Sequence, residues 1–160
     1  MQGRYFATTG PVATVVSIHR VAGRGGPATA LEEARVVADF GLVGDWRSRS
    51  RRGRQITLIE AEALEAVAAE LGLEAVPAGA SRRQVVVRGL RLDGTIGRRI
   101  RIGEVVFAID EPCDPCANME RQIGPGARRA MRDRGGVCGR VLEGGTLRRG
   151  EEVELLATVP

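Results

Sequence analysis

Short apolar segments that end at glycine or proline recur along most of this chain. Glycine supplies 22 of the 160 residues, well above its usual share of about 7%, and so many glycines favour tight turns. We therefore predict a mainly β protein with a few helices, arranged as a closed, mixed β-barrel with helical decoration. The segments expected to be strands are 12–19, 33–40, 55–59, 84–88, 98–102, 105–109, 137–142 and 151–156.

Residues 60–71 carry the clearest helical pattern. Leu64 and Ala68 lie one turn apart on an apolar face, and Gly72 follows as a stop signal. A second, short and basic helix is predicted over residues 125–134, between two glycines. One main helix among many strands fits the barrel prediction.

The chain shows neither an internal repeat nor a long linker. We predict a single domain over residues 12–156, preceded by a flexible N-terminal segment, 1–11. No apolar run reaches the roughly 18 residues of a membrane span, and the start lacks a signal-peptide pattern, so no membrane association is expected. Three cysteines are an odd number, which disfavours a secreted disulfide framework. These features predict a cytoplasmic protein.

All 24 basic residues are arginine, and they face 20 acidic residues, which gives a net charge of +4. Because there is no lysine, the chain cannot form a Schiff base, and no pyridoxal phosphate site is expected. Aromatic residues make up only 3% of the sequence. Nucleic-acid binding is disfavoured, because single strands are bound on aromatic platforms and duplexes on strongly basic faces.

A Cys-x-x-Cys segment, Cys113 to Cys116, is the sharpest chemical motif. A zinc site needs about four ligands, and only the distant Cys138 and His19 could complete it. A thioredoxin-like pair would follow a βαβ strand, which the pattern here does not provide. Two interpretations stay open: a buried structural pair, or one thiolate that acts as ligand or nucleophile beside cationic residues.

Arginines are concentrated just before two of the predicted strands. Residues 47–54 contain five of them, and Arg82 and Arg83 precede the strand at 84–88. Such a run is often only a solvated face, but guanidinium groups also bind phosphate and carboxylate through paired hydrogen bonds. At the entrance of barrel strands, both clusters would point toward one mouth. We expect the 47–54 loop to be mobile or ordered by a ligand.

The order of the motifs resembles that of the MOSC domain, named after the C-terminal domain of molybdenum-cofactor sulfurases. The resemblance extends from about Val12 to Leu156. The segments that carry it are Gly41-Leu-Val-Gly-Asp45, Arg54-Gln-Ile-Thr-Leu58, Ser81-Arg-Arg-Gln-Val85, Ile102-Gly103, Pro112-Cys-Asp-Pro-Cys116, Gly135-Gly-Val137, Arg140-Val-Leu142 and 145–155. Two positions differ from the common family pattern: Arg47 replaces a frequent histidine, and Gln84 a frequent asparagine.

The resemblance implies a barrel like the small barrel domain of pyruvate kinase, and a bound molybdenum cofactor, a pterin dithiolene that carries a phosphate. A cysteine that follows proline would ligate the metal, and Cys116 is the best match, with Cys113 as the fallback. In this interpretation Cys116 is also the catalytic residue. The resemblance and the arginine pattern indicate as cofactor-binding residues Asp45, Arg54, Arg82, Arg83 and Gln84.

Family members include reductases of N-hydroxylated compounds, such as hydroxylamino-purines and amidoximes. The resemblance therefore implies an oxidoreductase that acts on a small N-hydroxylated substrate. Its electrons would come from an external donor protein, because three cysteines cannot hold a four-ligand iron–sulfur cluster. The alternative is a sulfur carrier, in which Cys116 bears a persulfide for molybdenum-cofactor or metal–sulfur biosynthesis.

Overall fold

The computed structural model describes residues 12–49 and 53–157, except for the side chain of Arg49. The predicted N-terminal segment 1–11 and the centre of the arginine-rich loop lie outside the described residues. The strands are β1 (Thr14–Val21), β2 (Ala28–Leu31), β3 (Glu33–Val37), β4 (Gly41–Leu42), β5 (Ile56–Glu60), β6 (Val85–Arg88), β7 (Arg99–Ile102), β8 (Val105–Pro112), β9 (Val137–Glu143), β10 (Gly145–Arg148) and β11 (Val153–Leu155). The α-helices are α1 (Ala61–Leu71), α2 (Ala117–Ile123) and α3 (Ala127–Ala130), and 3-10 turns span Trp46–Arg49 and Leu92–Thr95.

Eight strands form one mixed sheet in the order β11-β7-β8-β9-β5-β6-β1-β2, and β10, β3 and β4 form a second sheet. Strands β5 and β6 are parallel, with α1 as the crossover, whereas the other pairs are antiparallel. The mainly β class with few helices is confirmed. The strand pairing gives two separate sheets, and the closed barrel therefore stays a prediction.

The two faces of the large sheet are buried in different ways. Leu58, Val85 and Val87 point into a core between the sheets that also contains Phe107. Their neighbours face the opposite side, where Ile59 and other apolar residues pack under the three helices. Because side chains alternate along a strand, this double burial explains why β5 and β6 are apolar at almost every position.

Helix α1 confirms the predicted helix to within one residue. It begins after Glu60 and ends at Gly72, which adopts a left-handed φ of 70° and donates its N–H to the carbonyls of the last turn. The second predicted helix is reduced to the single turn of α3. Among the described residues, no helix combines the length and the apolar character that crossing a membrane requires.

The strands β2 and β10, and the helix α2, were not predicted. Strand β2 is four residues long and lies at the edge of its sheet, and β10 begins at the second residue of a glycine pair, Gly144-Gly145. Helix α2 begins directly after Cys116. The loop 113–116 thus joins β8 to α2, and this loop positions the candidate site.

Candidate functional site

The three cysteines occupy three different environments around the end of β8. Cys138 lies on β9 and is buried, opposite Glu111 of β8. Cys113 follows the last residue of β8 and is half-buried, and its N–H donates to the Gly136 carbonyl at 2.8 Å. Cys116 precedes the first residue of α2 and is exposed. Cys116, the predicted ligand, thus lies away from the β8–β9 pairing, whereas Cys113, the fallback, directly follows that pairing.

Arg83 holds the loop that carries Cys113. Its Nε donates to the Gly135 carbonyl at 2.7 Å, and its Nη2 donates to the carbonyls of Cys113 at 3.3 Å and Asp114 at 2.9 Å. The residue is only 4% exposed. A guanidinium group presents several donors in a rigid plane, so it can bond these convergent carbonyls at once. Arg83, which we predicted to bind the cofactor, therefore uses these donors to hold the cysteine loop in place.

Two glycines let the loop approach β9 and β5 closely. A Cβ on Gly135 would collide with the Cys113 carbonyl oxygen, and a Cβ on Gly136 would collide with the Leu58 carbonyl oxygen. Gly136 also has a φ of 85°, which side-chain-bearing residues rarely adopt. The family-like Gly135-Gly136 pair thus has a steric explanation.

Asp45 positions Arg47. Its Oδ1 accepts the Arg47 N–H at 2.9 Å and lies 3.9 Å from the Arg47 Nη1, while its Oδ2 accepts the Val21 N–H at 2.9 Å. The Arg47 Nη2 donates to the Arg82 carbonyl at 2.8 Å, and the guanidinium lies over the Trp46 ring at 5.0 Å. Arg47 is thus half-buried and held by these contacts, whereas the centre of the loop predicted to be mobile lies outside the described residues.

The Nη1 of Arg47 is buried and has no hydrogen-bond partner among the described residues. Burial lowers the pKa of Arg47, and Asp45 opposes that effect. An unsatisfied buried donor costs free energy. This atom is therefore positioned to bind an acceptor that approaches from outside the chain.

A second unpartnered donor lies on Gln84. Its Oε1 accepts the Thr57 N–H at 2.9 Å and the Thr57 hydroxyl at 3.3 Å, and the Thr57 Oγ1 accepts the Gln84 N–H at 2.9 Å. The Gln84 side chain is buried and its Nε2 has no partner in the described part of the chain. Because Thr57 pairs with Cys138 across β5 and β9, the Gln84 amide lies one strand away from Cys138.

Arg54 and Arg82, the remaining predicted cofactor contacts, differ in exposure. The Arg54 Nε donates to Glu111 Oε1 at 2.8 Å in an exposed ion pair, which raises the pKa of Arg54. Arg82 is buried and has a left-handed φ of 65°. That conformation costs a non-glycine residue about 1–2 kcal/mol, and it belongs to the turn that offers the Arg82 carbonyl to Arg47.

The thiol of Cys113 lies in a cationic environment. Hydrogen bonding from Cys138 and the nearby charges of Arg83, Arg47 and Arg54 lower the pKa of Cys113 to about 6, although burial opposes this shift. The same hydrogen bond and burial raise the pKa of Cys138. The lowered pKa of Cys113 favours its thiolate, and the charges of Arg83, Arg47 and Arg54 are among the causes.

A cleft of about 610 Å³ lies against the cysteine loop. One wall consists of the loop itself and the glycine pair, and the other of the start of α1 and the 3-10 turn after β6. The lining residues include Cys113, Asp114, Gly135, Gly136, Glu60 and Asp93. Burial raises the pKa of Glu60. The cleft is large enough for a small organic molecule and reaches the cysteine loop.

His19, considered above as a possible zinc ligand, packs inside the sheet instead. His19 lies within β1, where it is buried, its Nε2 is 3.0 Å from the Ser17 hydroxyl, and burial lowers its pKa. His19 falls within the strand predicted over residues 12–19, which the structure places at Thr14–Val21. Across residues 12–49 and 53–157, no three His, Cys, Asp or Glu side chains are grouped to hold a metal ion.

Comparisons with known proteins assign the family. The sequence pattern of the MOSC domain matches residues 25–154. No curated protein matches the sequence significantly. The YuaD protein from Bacillus subtilis superposes with a TM-score of 0.80 at 15% identity, covering 91% of this chain and 96% of that one. YiiM from Escherichia coli gives 0.69 at 20% identity, with coverages of 93% and 72%.

YiiM from Geobacillus stearothermophilus gives a TM-score of 0.70 at 19% identity, and covers 91% of this chain and 75% of its own. At these identities the structural similarities show a shared fold. The sequence match covers most of the chain, and its family is associated with proteins that bind the molybdenum cofactor. The chain belongs to the MOSC domain family.

Proposed function

We propose that this protein binds the molybdenum cofactor with Cys113 as the metal ligand and reduces N-hydroxylated compounds. The observation that carries the proposal is the environment of Cys113, a half-buried thiol next to three arginines, at the edge of a cleft. Molybdenum, like other soft metals, favours thiolate ligands. The exposed Cys116 lies outside the β8–β9 pairing, so we assign the role to Cys113.

The donor set around Cys113 fits an anionic cofactor. The buried Nη1 of Arg47 and Nε2 of Gln84 have no partners among the described residues, and phosphate and pterin groups carry the acceptors that these donors lack. Arg82 and Arg54 supply further positive charge nearby, whereas Arg83 is occupied by the loop carbonyls. In this assignment Arg47 and Gln84 bind the cofactor. Only Gln84 was predicted from the sequence to do so.

When bound, the cofactor would supply two-electron reduction with removal of the oxygen atom from the substrate nitrogen. The chain itself would keep Cys113 deprotonated through Arg83, Arg47 and Arg54, and would hold the substrate in the cleft. Two electrons and two protons per substrate release one water and the amine. The electrons would come from a separate donor protein, because three cysteines cannot bind an iron–sulfur cluster of four ligands.

A sulfur carrier is the second candidate, and the same thiol favours it. A half-buried thiolate with a lowered pKa can also take up a sulfur atom as a persulfide. In this alternative Cys113 would bear the sulfur and no metal would be retained.

Expression together with the cofactor biosynthesis pathway separates the two. We expect purified protein to contain molybdenum, and to convert hydroxylamino-purines to amino-purines or amidoximes to amidines when a chemical reductant replaces the donor. A persulfide on Cys113 by mass spectrometry, with no molybdenum, would instead support the carrier. Protein with neither would contradict both candidates.

A further inference from the structure

Cys138 is a buried nucleophile that the proposed function does not use as a ligand. It pairs with Glu111 across β8 and β9, and its Sγ lies 3.7 Å from Glu111 Oε1, so both side chains occupy the same face. The pairing continues through Pro112 and Val137 to the bond from the Cys113 N–H to the Gly136 carbonyl. Cys113 lies two residues beyond Glu111 and is therefore the diagonal neighbour of Cys138 on that face.

We propose that Cys113 and Cys138 are a redox pair that closes into a disulfide when the cofactor-free protein meets a peroxide. The register of β8 on β9 places the two side chains on one face of the sheet as diagonal neighbours. The two residues also differ in access, because Cys113 lines the cleft and Cys138 is buried. Cys113 is thus the residue that an oxidant reaches, and Cys138 the one that resolves the product.

The chemistry needs only hydrogen peroxide as co-reactant. The Cys113 thiolate attacks one peroxide oxygen, the O–O bond breaks, and a sulfenic acid and hydroxide form. The Cys138 sulfur then attacks the sulfenic sulfur and displaces its hydroxyl group, which leaves as water with the proton from Cys138. Glu111, whose carboxylate accepts from the Cys138 thiol at 3.7 Å, can pass that proton on. The two sulfurs lose two electrons, and the peroxide becomes one water and one hydroxide, which takes a proton from solvent to give the second water.

The bond requires a small movement of the backbone. Diagonal neighbours on paired strands have Cα atoms about 7–8 Å apart, whereas disulfides need roughly 4.4–6.8 Å. Cys113 lies just past the last residue of β8, and its end of the pair has to move toward Cys138 against the hydrogen bonds from Arg83. The competing partner, Cys116, is exposed at the far end of that loop.

The disulfide would couple the redox state to cofactor loading, a consequence that rests on the proposed function. A Cys113 sulfur bonded to Cys138 has no thiolate to offer a metal. The two processes would therefore exclude one another at a single sulfur atom. The disulfide itself requires only the two thiols, so it can be tested on cofactor-free protein whether or not molybdenum binds.

The test is peptide mapping after treatment of the purified cofactor-free protein with equimolar hydrogen peroxide, followed by blocking of free thiols. Trypsin places Cys113 and Cys116 together in the peptide 102–121 and Cys138 in the peptide 135–140. A disulfide between Cys113 and Cys138 joins the two peptides, whereas one between Cys113 and Cys116 stays within the first. We expect the joined pair, and its loss on treatment with dithiothreitol.

Three variants complete the experiment. Cys116→Ser should retain the joined peptides, whereas Cys138→Ser and the smaller Cys138→Ala should lose them and leave a sulfenic acid at Cys113. A disulfide within peptide 102–121 in the wild type would overturn the proposal. So would a disulfide between two copies of the chain, or a sulfenic Cys113 beside a free Cys138. Molybdenum loading tests the proposed function separately, so the two can fail independently.

Discussion

The Arg83 guanidinium donates through one nitrogen to the carbonyls of both Cys113 and Asp114, at 3.3 and 2.9 Å, and through Nε to that of Gly135 at 2.7 Å. One side chain thus ties the loop that carries the candidate ligand to the segment that leads into β9. Its charge also contributes to lowering the pKa of Cys113, after the larger effect of the hydrogen bond from Cys138. The position of the cysteine loop and the ionisation of the Cys113 thiol therefore both depend partly on Arg83.

Replacing Arg83 should separate the loop from β9. In Arg83→Gln the buried carbonyls lose their donors, and we expect a loss of about 3 kcal/mol in the free energy of unfolding, together with a higher pKa of Cys113. Arg83→Lys should keep the charge but not the planar set of donors, so it should restore the pKa more than the stability. Denaturant unfolding and the pH dependence of Cys113 alkylation measure the two effects.

A surface arginine provides the control for that pair of variants. Arg91 forms an ion pair with Asp93, and its side chain is 82% exposed. Arg91→Gln should change stability by no more than about 0.5 kcal/mol. An equal loss in Arg91→Gln and Arg83→Gln would contradict the assignment of Arg83 to the cysteine loop.

The lowered pKa of Cys113 predicts a specific pH dependence. In the Cys116→Ser variant, alkylation by iodoacetamide at Cys113 should have its midpoint at about pH 6, against about 8.5 for an ordinary thiol. Peptide mass spectrometry measures the rate at this site alone. A midpoint near 8.5 would show that the arginines and Cys138 do not stabilise the thiolate.

The free energy of unfolding should depend on pH through the same ionisation of Cys113. Because the pKa of Cys113 is lower in the folded protein than in the unfolded chain, its contribution is full above about pH 8.5 and is lost as the pH falls through about 6. Between these values, wild-type protein should gain stability with rising pH relative to Cys113→Ser. Parallel pH profiles of the two proteins would contradict the expectation.

The close approach of the cysteine loop can be tested at Gly135. A Cβ there would meet the Cys113 carbonyl oxygen, so Gly135→Ala should displace the loop and weaken cofactor retention. Gly94→Ala is the matched control, because no atom lies within 4 Å of the added Cβ and Gly94 has no positive φ. Molybdenum content per chain, measured beside the unfolding midpoint, should fall in the first variant and stay unchanged in the second.

Asp45 should matter for stability as well as for the site. Its buried carboxylate accepts the N–H groups of Val21 and Arg47, so Asp45→Ala removes both bonds and leaves the half-buried Arg47 without its partner. Because hydrogen bonds to charged groups are among the stronger ones, we expect a loss of about 3 kcal/mol in the free energy of unfolding. Asp45→Asn, which keeps one acceptor oxygen, should lose less. If unfolding of Asp45→Ala matched the wild type, the buried pair would have no role in holding Arg47.

The sequence patterns predicted the elements whose signals are local. Helix α1 follows from its apolar face and Gly72, and the hairpin of β7 and β8 follows from the turn at Gly103. Strand β2 was missed because four residues at a sheet edge carry too little pattern, and its pairing with β1 depends on tertiary contacts. The motif order indicated the family, since it reflects the whole chain rather than any one element.

The choice between the two loop cysteines could not be made from spacing. Both follow a proline, and the difference arises from the register of β8 on β9, which places Cys113 beside Cys138. Arg47 was missed as a site residue because it belongs to a run of arginines that looked solvated. The signal that could have identified it is Asp45, two residues earlier, which accepts its N–H.

The molybdenum content of three proteins, purified from cells that make the cofactor, tests the assignment of the ligand most directly. Wild type, Cys113→Ser and Cys116→Ser should all fold, which circular dichroism can verify. We expect wild type and Cys116→Ser to retain molybdenum and Cys113→Ser to contain almost none. Molybdenum that stays in Cys113→Ser and disappears from Cys116→Ser would contradict the account and assign the metal to the exposed cysteine.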